Sequence, residues 1–128
     1  MAALRALVID DNVDAAHALG FLIEDLGFLV SYAASGLEAI NAAKCVHPHV
    51  VLLDIGLPGV DGWEVARRIR LEPFLSRVTI IAVTGYAQEA DKEKSAEAGI
   101  DHHFAKPVPF DALEPILVGI KNASPSRR

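Results

Sequence analysis

A single cysteine, Cys45, excludes an intrachain disulfide and fits a reducing compartment. Aromatic residues are scarce at 6%, and no apolar run approaches the roughly 20 residues of a membrane-spanning helix. The opening Met1-Ala2-Ala3-Leu4-Arg5 lacks the apolar length of a secretory signal. The expected location is therefore the cytoplasm, without membrane contact. Positive charge is also in short supply, with 12 Lys and Arg against 17 Asp and Glu and a net charge of −5. That balance argues against a nucleic-acid-binding surface, which draws on clustered Lys and Arg.

What the chain does have is apolar mass. Its 128 residues are 52% hydrophobic and 23% charged, enough for one compact domain with its own core. No internal linker, repeat or low-complexity segment interrupts it. One domain is expected over residues 1–121, with 122–128 (Asn-Ala-Ser-Pro-Ser-Arg-Arg) a tail or the start of a linker.

Short apolar runs alternate with longer segments of helical period. The runs are Ala6 to Ile9, Phe28 to Val30, Val50 to Leu53, Val78 to Val83 and a weaker His103 to Ala105. Consecutive aliphatic positions of this kind predict parallel strands buried on both faces. Between them, Ala15, Leu19, Leu22, Ile23 and Leu26 form a helical stripe closed by Gly27. Similar stripes span Leu37 to Ala43, Val65 to Leu71 and Ala112 to Ile120, and Gln88 to Ala98 reads as a more exposed helix. Pro58-Gly59 and Asp61-Gly62 punctuate a turn. Five β-α units in succession predict an α/β fold, a parallel sheet covered by helices on both faces.

Four of the runs end in a polar residue that a core does not require: Asp10-Asp11, Asp54, Thr84 and Lys106. Ligand sites of open parallel sheets lie beyond the carboxyl ends of the strands. Three carboxylates meeting there repel one another, and protonation or a cation relieves them. Mg²⁺ takes oxygen ligands and keeps several waters, so such a group suits it. Three carboxylates, one Mg²⁺ and the Lys106 ammonium sum to zero charge, a setting suited to holding a phosphoryl group. Singly, each residue has a plainer use. Asp10 to Asp14 can cap a helix, Asp54 and Thr84-Gly85 can make turns, and Lys106 can be solvated. Their common register at four strand ends favours a site.

Leu7-Val8-Ile9-Asp10-Asp11-Asn12 and Leu52-Leu53-Asp54-Ile55-Gly56-Leu57-Pro58-Gly59-Val60-Asp61-Gly62 resemble the acidic pocket and phosphorylation loop of response-regulator receiver domains. Ile81-Ala82-Val83-Thr84-Gly85 and Phe104-Ala105-Lys106-Pro107 complete the likeness, which runs from about Leu4 to Ile120. It implies a flavodoxin-like (βα)5 doubly wound sheet of order 2-1-3-4-5, whose winding reverses between strands 1 and 3. It also implies Asp54 as phosphoacceptor in a two-component phosphorelay. Asp11 would be a direct ligand of Mg²⁺ (or Mn²⁺), Asp10 would act largely through water, and the Gly56 carbonyl would add a further ligand. Thr84 and Lys106 would contact the phosphoryl group, and the Lys106-Pro107 bond would be cis. The partner would be a histidine kinase or histidine phosphotransfer domain, docking on Val13, Asp14, His17, Pro107 and Val108.

The chain departs from the pattern at the switch position, where receivers carry Tyr or Phe and this chain has His103. The pair His102-His103 points to opposite faces of a strand, which favours a structural role over a metal site. His17, His47 and His49 share no ligand spacing, and Trp63 reads as packing. A haloacid-dehalogenase phosphohydrolase would need a second acid where Gly56 stands. A flavodoxin would need a hydroxyl- and glycine-rich loop where Asp10-Asp11-Asn12-Val13-Asp14 stands. A degenerate receiver acting only as an interaction module stays open, although no acceptor or metal residue is missing. The domain is expected to be a phosphoacceptor with at most weak self-phosphorylation or dephosphorylation, not an enzyme. Gly99 to Val108 is similar to receivers attached to hybrid sensor kinases, so the chain reads as either a single-domain regulator or part of such a kinase.

Overall fold

The computed structural model describes residues 4–56, 61–85 and 89–123, with side chains left aside at 89–92. Five strands, β1 (Leu4–Ile9), β2 (Phe28–Ala33), β3 (Val50–Asp54), β4 (Thr79–Thr84) and β5 (His102–Ala105), form one sheet in the order β2-β1-β3-β4-β5. Every pairing is parallel. The helices are α1 (Val13–Asp25), α2 (Gly36–Val46), α3 (Gly62–Leu71), α4 (Glu89–Glu97) and α5 (Phe110–Ala123). The alternation of elements is that expected from the sequence, and the sheet order is that implied by the resemblance.

Period-two alternation sends neighbouring strand residues into two separate cores. Leu7, Ile9, Val51, Leu53, Ile80 and Ala82 pack with Ala39 and Ala43 of α2 and with Val65, Ala66 and Ile69 of α3. Ala6, Val8, Val50, Leu52 and Ile81 pack on the other face with Ala16 and Ile23 of α1 and Leu113 and Leu117 of α5. Each fully buried Leu or Ile contributes roughly 1.5–3 kcal/mol by leaving water. The neighbouring strands β1 and β3 are thus held from both sides.

Several boundaries differ from the expectation. β4 runs Thr79–Thr84, and β5 begins one residue earlier, at His102. Helix α2 continues to Val46 and stops at His47, a non-glycine in the left-handed conformation (φ 53°). A 3₁₀ turn at Pro73–Leu75 was not anticipated. Helix α5 starts at Phe110 and reaches Ala123, past residue 121, and carries Pro115 inside it. The turn at Pro58-Gly59, the neighbouring Leu57 and Val60, Gln88 and residues 124–128 lie outside the described residues.

Candidate acidic site at the sheet's carboxyl edge

The site begins with local hydrogen bonding. Helix α1 is capped by Asn12, whose side chain accepts from the Ala15 N–H at 3.0 Å. The alternative use of the acidic run as a cap therefore falls to Asn12, and Asp10 and Asp11 are left for other work. One Asp10 oxygen, Oδ1, accepts from the Asn12 N–H at 3.0 Å. The corresponding oxygen of Asp54 accepts from the Gly56 N–H at 2.9 Å. Both carboxylates are fixed by the backbone two residues ahead, a habit of Asp at the start of turns.

Their second oxygens share one donor. Lys106 Nζ lies 3.1 Å from Asp10 Oδ2 and 3.2 Å from Asp54 Oδ2, bridging β1 and β3 from the end of β5. The Lys106–Pro107 peptide is cis, as the resemblance implied, and the Lys106 N–H donates to the Thr84 carbonyl at 2.7 Å. Asp10 and Asp54 are 9% and 8% exposed, so both carboxylates are largely out of water, while Lys106 reaches them from a partly solvated position. Burial pushes the Asp54 carboxyl above its ordinary range, against the pull of the Gly56 N–H and Lys106, with the charge of Asp10 adding to the rise. Burial alone would lower Lys106, but hydrogen bonds and charge from the two carboxylates outweigh it and hold the ammonium above its usual range.

Asp11 is exposed and completes the group: one oxygen each from Asp10, Asp11 and Asp54 lie within 4.8 Å of one another. Three carboxylates against one ammonium leave two negative charges. This all-oxygen donor set with an unbalanced charge fits a hard divalent cation. Gly56 and Thr84 flank the cluster, Thr84 buried as the last residue of β4. Gly62 permits the fold here, because a Cβ at that position would sit 2.6 Å from the Ile55 Cα. The α3 N-terminus can thus lie against the segment leaving β3.

The sequence-derived docking residues lie on two segments, the first turns of α1 and the chain after Lys106. Val13 and Asp14 open α1 and are exposed, and Pro107 and Val108 follow Lys106. His17 is exposed on α1, with its ring edge-on to Tyr32 at 4.5 Å and tilted to Phe21 at 6.5 Å. His103 stands apart from the carboxylates. Its Nδ1 is 2.8 Å from Ser95 Oγ, which also accepts from Trp63 Nε1 at 3.0 Å. Trp63 thus packs on the core, as expected, and in addition ties α3 to α4. Ser95, buried at 2% exposure, gave no signal in the sequence, since a serine in a polar helix reads as surface. His102 is exposed, while His103 is half-buried. Among the described residues no helix is long and apolar enough to cross a membrane.

Comparison with known proteins agrees with this geometry. The chain is 32% identical over 122 residues to the signal transduction histidine-protein kinase BarA of Escherichia coli, covering 95% of this chain but 13% of that one. It is 33% identical to the polar-differentiation response regulator DivK of Brucella ovis, covering 80% of this chain and 83% of the other. Among solved structures it is similar to the receiver domain of the sensor histidine kinase PA1611 of Pseudomonas aeruginosa, with a magnesium ion in its active-site cleft. That likeness has a TM-score of 0.84 and 30% identity over 95% of this chain and 100% of the other. Residues 6–117 match the response regulator receiver domain, and the chain belongs to that family of two-component signalling domains.

Proposed function

We propose that Asp54 accepts a phosphoryl group from a phosphohistidine of a histidine kinase or phosphotransfer domain, in the cytoplasm and with Mg²⁺ (or Mn²⁺) present. The observation that carries this reading is the shared ammonium: Lys106 holds Asp10 and Asp54 together beside exposed Asp11. Asp10, Asp11, Asp54 and the Gly56 carbonyl would hold the metal, which supplies positive charge against the phosphoryl oxygens. In the transfer an Asp54 oxygen bonds to phosphorus as the phosphorus–nitrogen bond of the donor breaks, leaving the nitrogen lone pair on the donor imidazole. Lys106 and Thr84 then offer a cation and a hydroxyl to the transferred group. Self-phosphorylation and dephosphorylation are at most weak in this reading.

The decisive test is intact mass after incubation with acetyl phosphate and Mg²⁺. Asp54→Asn keeps the shape but loses the nucleophilic oxygen, so incorporation should vanish while the fold remains. Incorporation that persists at another residue overturns the assignment. Docking on Val13, Asp14, His17, Pro107 and Val108 is tested by Asp14→Lys and Val108→Trp. Both should slow transfer from a kinase and spare transfer from acetyl phosphate. His103 is proposed as the switch residue, moving together with Thr84. A beryllofluoride complex should then break the His103–Ser95 hydrogen bond, visible in the ring nitrogen shifts, and unchanged shifts remove His103 from the switch.

A further inference from the structure

A groove of about 470 Å³ opens beside the acidic cluster, between α1 and the segment after β5. Ala18, Leu19 and Leu22 line it on one side, Pro107 and Val108 on the other, and Leu52 lies on its sheet side. Asp10, Asp54 and Lys106 are its charged lining and stand together, joined by the Lys106 bridge. Sites for small ligands are apolar clefts of roughly 300–1,000 Å³ with a few convergent polar groups, and this groove has that build.

The charge selects the ligand. Three carboxylates and one ammonium leave two negative charges at the polar end, which repels anions and gives a neutral apolar molecule nothing to pair with. The carboxylate oxygens lie within 4.8 Å of one another. An ammonium nitrogen about 2.8 Å from each of three oxygens tolerates oxygen separations up to about 4.8 Å by trigonometry, so the cluster accommodates it without tightening.

We propose that the groove binds a small amphipathic amine. Its ammonium sits among Asp10, Asp11 and Asp54, and its alkyl or aryl body lies between α1 and Val108. Such a ligand excludes a divalent cation from the same carboxylates. The binding goes beyond the phosphoacceptor reading, and only its consequence, inhibition of phosphorylation, rests on that reading.

Hexylamine is the probe, with methylamine and 1-hexanol as controls, and it is protonated at neutral pH as a lysine is. Methyl NMR of Leu19, Leu22 and Val108 follows the tail, and water relaxation by Mn²⁺ follows the head. Hexylamine should shift those methyls and release Mn²⁺ at a concentration at least tenfold below methylamine, and hexanol should not release Mn²⁺. Methylamine as effective as hexylamine, hexanol shifting the methyls as strongly as hexylamine, or no methyl shift at all overturns the proposal. If Mn²⁺ does not bind, the metal part of the phosphoacceptor reading fails, and the dependence of the methyl shifts on head and tail still decides the amine. Ala18 is an exposed helix residue at the rim, so Ala18→Trp should cover the groove and weaken hexylamine at least tenfold. Ala18→Leu replaces it if circular dichroism shows loss of fold, and unchanged affinity in a folded variant overturns the proposal.

Discussion

At the amino ends of the strands, charged and titratable side chains complete the backbone. Arg5 donates through Nε to the Val46 and His47 carbonyls at the end of α2, and its own N–H is accepted by His49 Nδ1 at 3.0 Å. Arg70 spans the Gly99, Ser76 and Val78 carbonyls and pairs with Asp101 at 2.8 Å, while Asp101 accepts from the Ile80 N–H. At the carboxyl ends, Asp10, Asp11 and Asp54 crowd around one lysine and keep an excess of negative charge. One end satisfies itself and the other needs something from outside. Buried groups that are fully paired stabilise a fold, and like charges held together cost stability and invite a ligand.

Removing charge should therefore act in opposite directions at the two ends. Arg70→Met is expected to have the largest effect, a loss of about 2–3 kcal/mol, because the part-buried Gly99 and Val78 carbonyls lose a charged donor together. Urea denaturation measures it, and a loss within error would show that water replaces the guanidinium.

At the other end Asp54→Asn should stabilise the metal-free protein at neutral pH, by roughly 0.5–2 kcal/mol. The pH dependence follows from the direction of the shift. With its pKa raised in the folded state, Asp54 binds its proton more tightly there than in the unfolded chain. Its favourable contribution is complete below its ordinary value of 3.8 and is lost as pH rises through the folded value. The gain from Asn should accordingly shrink as pH falls towards that ordinary value, and a pH-independent difference in melting temperature would remove charge as its cause.

Asp11→Ala should show the same sign more weakly, since Asp11 is exposed and water screens its repulsion. The metal-free variant should melt no lower than the parent, and it should lose the rise that added Mg²⁺ gives through binding the folded state. A Mg²⁺ response of unchanged size would locate the metal elsewhere.

His49 sharpens the comparison with the smallest effect. Burial first, then the Arg5 charge, lower its pKa, against an opposing hydrogen bond with the Arg5 backbone. Its contribution is complete above the ordinary 6.5 and is lost as pH falls through the lowered value. Melting curves over that window should slope less for His49→Gln than for the parent, the difference reaching no more than about 1 kcal/mol. Equal slopes would assign the acid sensitivity to other groups.

The residues of the acidic end were legible in the sequence because their placement breaks a strong pattern. A turn alone could end an aliphatic run such as Val50 to Leu53 in Asp54, but four runs ending in polar residues together mark a site. The amino end gave no such signal. Arg70 lies on an amphipathic helix where an arginine is ordinary, and the carbonyls it serves are 6 to 29 residues away. His49 follows Pro48 in what reads as a loop, and its partner, Arg5, is 44 residues earlier. Ser95 is of the same kind, a polar residue on a polar helix that only the approach of Trp63 and His103 turns inward.

Local chemistry decided the elements. Hydrophobic period, the Asn12, Ser35 and Asp61 caps and the polar residues at strand ends act within a few residues of chain, so the order of the letters states them directly. Tertiary structure decided the pairings across the chain: which oxygens of Asp10 and Asp54 share Lys106, why Gly62 must be glycine, and where a groove lies between α1 and Val108. Those depend on distances between segments tens of residues apart, and such distances exist only after the two cores have closed on the sheet.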